Sequence, residues 1–156
     1  MQDHPDAIVY RRTAAAFRAG DLDLVKTLIA PEVVWHVPGG HDMAGTIDGR
    51  EALLAWLARL GDIGFWLVEH DVFASDQHVC AISTMGARRG SMEVETRVIS
   101  IFRYREGRQL ERWFYPDDTA VWNTIFAAWE GSSRMTSAWS SMPVTCGIMT
   151  SHRITS

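Results

Sequence analysis

His36, Ser100 and Arg112 are the residues of this chain whose types could do chemistry together. An imidazole titrates near about pH 6.5, which makes it a usable general base around neutrality. Ser100 is a small hydroxyl in an otherwise apolar row, and a buried hydroxyl needs a partner. Arg112 brings a guanidinium that can hold a carboxylate or an enolate-like oxygen, at a cost unless it is paired. Each also has a plainer reading. His36 can be a core histidine bonded to backbone, Ser100 can bond a neighbouring carbonyl, and Arg112 can be solvated. Asp71 can orient His36. It ends the run Glu69-His70-Asp71, and consecutive strand residues alternate faces, so the three cannot all enter one pocket. Periodicity does not choose among them, because both faces of 65–73 are partly apolar. His41 and Asp42 form with His36 a loose two-histidine, one-carboxylate set. Its spacing matches no metal motif, and no metal is expected. Gly-rich phosphate loops, a Gly-x-Ser-x-Gly elbow and a dinucleotide fingerprint do not occur.

These groups must be held by surrounding elements. Ala7, Tyr10, Ala14 and Phe17 recur at helical spacing and predict a helix over 6–19, capped by Asp3 or Asp6 and stopped by Gly20. Asp21 caps a second short helix that buries Leu22, Val25, Leu28 and Ile29 and ends at Pro31. Residues 32–37 read as a strand ended by Pro38-Gly39-Gly40. On it His36 shares parity with Val34, while Val33, Trp35 and Val37 take the other. Asp48 and Glu51 form a capping box for a third helix carrying Leu53, Leu54, Trp56, Leu57 and Leu60. Strands follow at 65–73, 79–87, 92–104 and 109–115, then a helix at 118–129.

The strand at 92–104 alternates most clearly. Val94, Thr96, Val98, Ser100, Phe102 and Tyr104 share one face, and charged residues dominate the other. Ile99 and Ile101 interrupt that wet face, which points to a partner subunit. Arg105-Glu106-Gly107 suits a three-residue hairpin loop. That register sets Arg112 opposite Ser100 and Phe114 opposite Val98. A two-residue loop would turn Trp113 and Tyr115 to that face instead. Helices and one strand followed by a run of strands make an α+β pattern with helices on one face of a curved antiparallel sheet. Such a sheet encloses a pocket. Tyr10, Phe17, Trp35, Trp56, Val98, Phe102, Trp113 and Phe114 are the expected lining for a ring-shaped ligand.

With 156 residues the chain suits one domain, over 1–130, with a Ser/Thr-rich tail at 131–156 expected to be flexible. A formal net charge of −4 argues against a nucleic-acid partner. The two cysteines make no disulfide framework. The charged amino-terminal stretch lacks a signal core, and no apolar run reaches the ~20 residues of a membrane span. A cytoplasmic protein is expected.

The segment from Tyr10 to Ala30, then VVWHVPGG, AGTIDGREALLAWL, EHDVFASDQHV and FRYREGRQLERWFYPDD, resembles the SnoaL-like branch of the nuclear transport factor 2-like superfamily over 6–129. The resemblance implies a cone-shaped curved antiparallel sheet closed by helices, a central apolar pocket, no cofactor and often a homodimer. Ketosteroid isomerase, limonene epoxide hydrolase, scytalone dehydratase and polyketide cyclases are of this kind. His36 stands where ketosteroid isomerase carries its Asp base, and Ser100 where it has an oxyanion-hole Asp. The catalytic Tyr of its first helix falls at Arg12, off the apolar stripe, with Tyr10 nearby. Of the Asp–Arg–Asp set of the epoxide hydrolase, only Asp71 matches, since the other positions read Glu69 and Phe114. The resulting expectation is a cofactor-free isomerase, cyclase, dehydratase or epoxide hydrolase. His36 would act as base, and Ser100 and Arg112 would hold the oxyanion of a hydrophobic ring-containing substrate. The alternative is a non-catalytic ligand-binding or dimerising module.

Overall fold

The computed structural model describes residues 3–127. The tail at 131–156 and the domain boundary at 130 lie outside the described residues. Four helices and six strands run in the order α1 (Pro5–Ala19), α2 (Leu22–Leu28), β1 (Ile29–Val37), β2 (Gly45–Asp48), α3 (Arg50–Asp62), β3 (Phe65–Ala74), β4 (Val79–Arg89), β5 (Met92–Arg105), β6 (Arg108–Pro116) and α4 (Thr119–Phe126). No described helix is long and apolar enough to cross a membrane.

The helix ends follow local chemistry, with two corrections. The His4 side chain, not Asp3 or Asp6, accepts from the Asp6 N–H at the start of α1, and Gly20 closes that helix in the left-handed region at φ 67°. Asp21 caps α2 through the Leu24 N–H. The capping box expected at Asp48 does not form, because Asp48 is drawn into the short strand β2 opposite Val34. Gly49 takes the N-cap position instead, at φ 95° and with no side-chain cap.

The strands form one open, curved, mixed sheet in the order β2-β1-β6-β5-β4-β3. The α+β architecture agrees with expectation, but the sheet is not wholly antiparallel. β1 and β6 pair in parallel, with Trp35 beside Arg112 and His36 beside Trp113. A hairpin could not make that pair. α3, four strands and their loops separate the two, and so long a crossover permits the parallel direction.

The β5–β6 turn corrects a second expectation. Arg105 pairs with Arg108, so the loop has two residues. Both have positive φ, 53° at Glu106 and 74° at Gly107, which is the type I′ geometry that matches strand twist. A two-residue loop alone would turn Arg112 outward. A β-bulge at Leu110 restores the parity: Tyr104 pairs with Gln109 but Arg103 with Glu111. Arg112 therefore does share the inner face with Ser100, as expected, but it pairs with Phe102, and Phe114 pairs with Ser100.

α1 packs across β3 and β4 and against α2, α3 covers β1, and α4 covers β5. Beneath them lies a core around Val25, Ile29, Val33, Leu53, Met85, Val98, Trp122 and Ile125, each almost fully buried. Burying a side chain of this size stabilises by about 1.5–3 kcal/mol. Edge-on contacts of Trp35 with Trp56 and with Phe114 set its aromatic part, at centroid distances of 5.7 and 5.5 Å. A second cluster under α1 contains Ala7, Val72, Val79, Ala81 and Phe102, with Tyr10 and Tyr104 against it. On the outer face of the sheet Ile99 and Tyr115 are exposed.

Candidate functional site

Where α1 crosses the inner face of the sheet, the apolar packing leaves a cavity. It offers about 450 Å³ of space, part of it open to solvent at the mouth, and is lined by Tyr10, Thr13, Ala14, Phe17, Trp35, Leu67, Glu69, Phe102, Gln109 and Arg112. α1 supplies the first four through its one-face repeat, and β1, β3, β5 and β6 supply the rest.

Arg112 is the main charge in this cavity. Its guanidinium lies 4.6 Å from the Trp35 ring centroid, 4.6 Å from that of Phe102 and 4.1 Å from that of Phe114. Such cation–π contacts attract the charge but do not neutralise it. Its Nη2 donates to the Ser100 hydroxyl at 2.9 Å. Its Nε is buried without an acceptor. Among the described residues no carboxylate lies within ion-pair distance of it. Burial pushes its pKa down to about 10, while the nearby Tyr10 and Tyr104 act in the opposite sense.

A second polar group faces Arg112 across the apolar walls. The Tyr10 hydroxyl is pushed well above the ordinary phenol range, first by burial and then by the charge of the nearby Glu69 carboxylate. Tyr10 is therefore a neutral donor at any physiological pH. Burial likewise raises Tyr104, whose hydroxyl oxygen is enclosed with no well-formed hydrogen bond, beside Gln109. The Gln109 Oε1 accepts from the Trp35 indole N–H at 2.6 Å.

Glu69 reaches the cavity because β3 carries a bulge. Glu69 pairs with Ser83 but Asp71 with Ile82, leaving His70 as the extra residue. Leu67 and Glu69 thus face inward, and beyond the bulge the parity switches to Val72. Asp71 is turned out and exposed, and its carboxylate accepts from the Val72 N–H. His70 is exposed and bonds the Thr84 hydroxyl. The bulges at His70 and Leu110 lie next to cavity residues, where bulges commonly re-aim side chains.

The remaining sequence candidates divide clearly. Tyr10, Phe17, Trp35, Phe102 and Arg112 line the cavity. Ser100 is wholly buried beneath Arg112 and serves as its acceptor. Trp56, Val98 and Phe114 are packed in the core behind the lining, with the Trp56 indole N–H donating to the Met43 carbonyl. His36 does not face the cavity, which corrects its expected position as the base. Trp35 and Val37 take the inner parity of β1, so His36 points to the outer face. There it stacks on Trp113 with ring planes 13° apart and bonds Glu111 at 2.7 Å. Glu111 also accepts from Arg103, and these partners hold its carboxyl below the usual range. Trp113 is outward for the same reason of parity. Asp71 cannot orient His36, since neither lines the site. His41 bonds the Pro38 carbonyl and accepts from the Met43 N–H, bracing the loop after β1. Among the described residues no group of three or more His, Cys, Asp or Glu side chains is arranged to hold a metal ion.

Glu69, Gln109, Thr13, Ala14 and Leu67 were not singled out from sequence as lining residues, although Glu69 was one of three candidates in its run. The available signal was the helical stripe of α1, which includes Ala14.

An open sheet curved over an apolar cavity beneath helices is the architecture of NTF2-like α+β proteins. The chain belongs to the SnoaL-like domain family, which matches residues 10–112. That family includes polyketide cyclases and isomerases. An uncharacterized protein of Mycobacterium tuberculosis is 32% identical over 127 residues, covering 78% of this chain and 96% of that protein. Among solved structures, Bal32a from a soil-derived mobile gene cassette is 29% identical with a TM-score of 0.72, over 78% of this chain and 96% of that one. TerC, co-crystallised with polyporic acid, has a TM-score of 0.67 and 19% identity, over 79% of this chain and 98% of that one.

Proposed function

We propose that this protein is a cofactor-free acid–base enzyme acting on a hydrophobic ring-containing small molecule, with Glu69 as the base. One observation carries this reading: a carboxylate and a neutral phenol, Glu69 and Tyr10, stand side by side on the wall of an apolar cavity. Glu69 takes a proton from a carbon next to a carbonyl. The electron pair of the broken C–H bond moves to the carbonyl oxygen, and the Tyr10 hydroxyl donates to the oxyanion that forms. Return of the proton from Glu69 to another carbon conjugated with the enolate completes an isomerisation; in a cyclisation the enolate carbon bonds to a second carbonyl carbon of the same molecule, the electron pair of that C=O moves to its oxygen, and the Glu69 proton passes to the alkoxide so formed. Arg112 holds a ligand oxygen on the β5–β6 side and keeps the ring in place. The presence of polyketide cyclases and isomerases in the family supports a reaction of this class. TerC, with its polyporic acid, supports a small organic acid as an occupant of the fold.

The test is proton exchange into a generic ring ketone. In D2O, NMR follows loss of the α-protons of 2-tetralone with and without protein. The wild type accelerates exchange, and Glu69→Gln lowers the catalysed rate by about 100-fold or more. Equal rates in the two proteins would remove Glu69 as the base. No acceleration by the wild type, with 2-tetralone bound, would favour the ligand-binding module.

A further inference from the structure

We propose that the cavity's own ligand is an organic monoanion, a planar ring compound whose one charged oxygen group lies in the plane of the Arg112 guanidinium. This deepens the reading above by naming the substrate class, and it rests on different atoms.

The cavity holds an unbalanced charge. Among the described residues, Arg112 has one hydrogen-bonding partner, the Ser100 hydroxyl, and no carboxylate in ion-pair range. A buried cation without a counterion is costly, and folds keep such groups where something else completes them. Geometry restricts what can do so. The rings of Trp35, Phe102 and Phe114 crowd the guanidinium carbon at 4.1–4.6 Å, so a ligand reaches it at the N–H edge and not over the face. A carboxylate or a ring-bound oxyanion fits that edge, because its lone pairs lie in the plane of its own π system.

The neighbours select further. Glu69 lines the same cavity and repels a second negative charge, which excludes dianions such as phosphate monoesters. Phe17, Ala14 and Leu67 make the remaining wall apolar and suit a flat hydrocarbon body.

The experiment compares probes of one shape by isothermal calorimetry on the full chain. These are 2-naphthoate, a carboxylate; 2-naphthol, a ring-bound oxygen; 2-acetylnaphthalene, a neutral isostere; and 2,6-naphthalenedicarboxylate, a dianion. At least one of the first two is expected to bind ten-fold or more tightly than 2-acetylnaphthalene and the dianion. Which of them does so separates the carboxylate from the ring oxyanion. Bound 2-naphthol would also show the naphtholate absorption at a pH where the free phenol is protonated. Arg112→Met should abolish the preference and still bind 2-acetylnaphthalene, which shows that the cavity is intact. If Arg112→Met does not fold, Arg112→Gln serves the same purpose. Equal or tighter binding of 2-acetylnaphthalene to the wild type, or a preference that survives loss of the guanidinium, overturns the proposal. Failure of 2-tetralone exchange with the anion preference intact would instead reject the reaction and leave the ligand class standing.

Discussion

Replacing Arg112 by methionine should leave the unliganded fold as stable as before or more so, the reverse of the usual outcome for a buried residue. Burial, the largest cause, pushes the pKa of Arg112 down from the ordinary guanidinium range to about 10. At about 1.36 kcal/mol per pH unit, that depression means the charged form costs roughly 3 kcal/mol relative to an unfolded chain. The sign is fixed by linkage. Below about pH 10 the guanidinium is protonated in both states, so the whole cost is present at neutral pH. It is relieved only as pH rises through the folded value. Part of the cost is screened through the cavity mouth. Against it stand the bond to Ser100, worth about 1.5 kcal/mol, and the cation–π contacts, worth about 0.5–2 kcal/mol. Methionine keeps much of the apolar packing and makes its own sulfur–ring contacts, worth about 0.3–1.5 kcal/mol. The balance is a gain of about 1 kcal/mol, bounded by about zero and about 2.5 kcal/mol. Urea denaturation at pH 7 measures it, with an unchanged m-value confirming that the same structure unfolds. A loss of 2 kcal/mol or more would refute the reasoning. It would mean that the guanidinium is fully compensated within the fold, and that Arg112 is a structural residue rather than an unsatisfied receptor.

Two further outcomes follow from the placement of the histidines. His36→Ala should leave 2-tetralone exchange and naphthoate binding unchanged and cost less than about 1 kcal/mol in the same denaturation assay. Its pair with Glu111 is half exposed on the outer face, and such pairs contribute little. A marked loss of exchange would return His36 to the mechanism. Burial lowers the pKa of His41, against the opposing effects of the Pro38 carbonyl and Asp42. The unfolded chain therefore binds that proton more readily. The stability contributed by His41 is complete above about pH 6.5 and is lost as pH falls through the lower folded value. Denaturation at pH 7.5 and 5.5 should show this loss, and His41→Gln should reduce the difference. An undiminished difference in the variant would assign the pH effect to another group.

The amino-acid sequence by itself determined the order of the elements other than β2, the inner face of β5 and the aromatic character of the cavity. Those follow from repeats of 3.6 and 2 residues, which each segment carries alone. It also held the answer on His36: Val33, Trp35 and Val37 form the bulkier parity of β1, and the core takes the face that buries more apolar area. Only the tertiary structure decided which of Glu69, His70 and Asp71 looks inward, because the bulge at His70 reverses parity within one strand. Only it brought Arg112 inward past a two-residue turn, through a second bulge at Leu110. An extra residue in a ladder is defined by the partner strand. One strand's pattern therefore shows which residues can share a face, and the neighbouring strand decides where that pattern breaks.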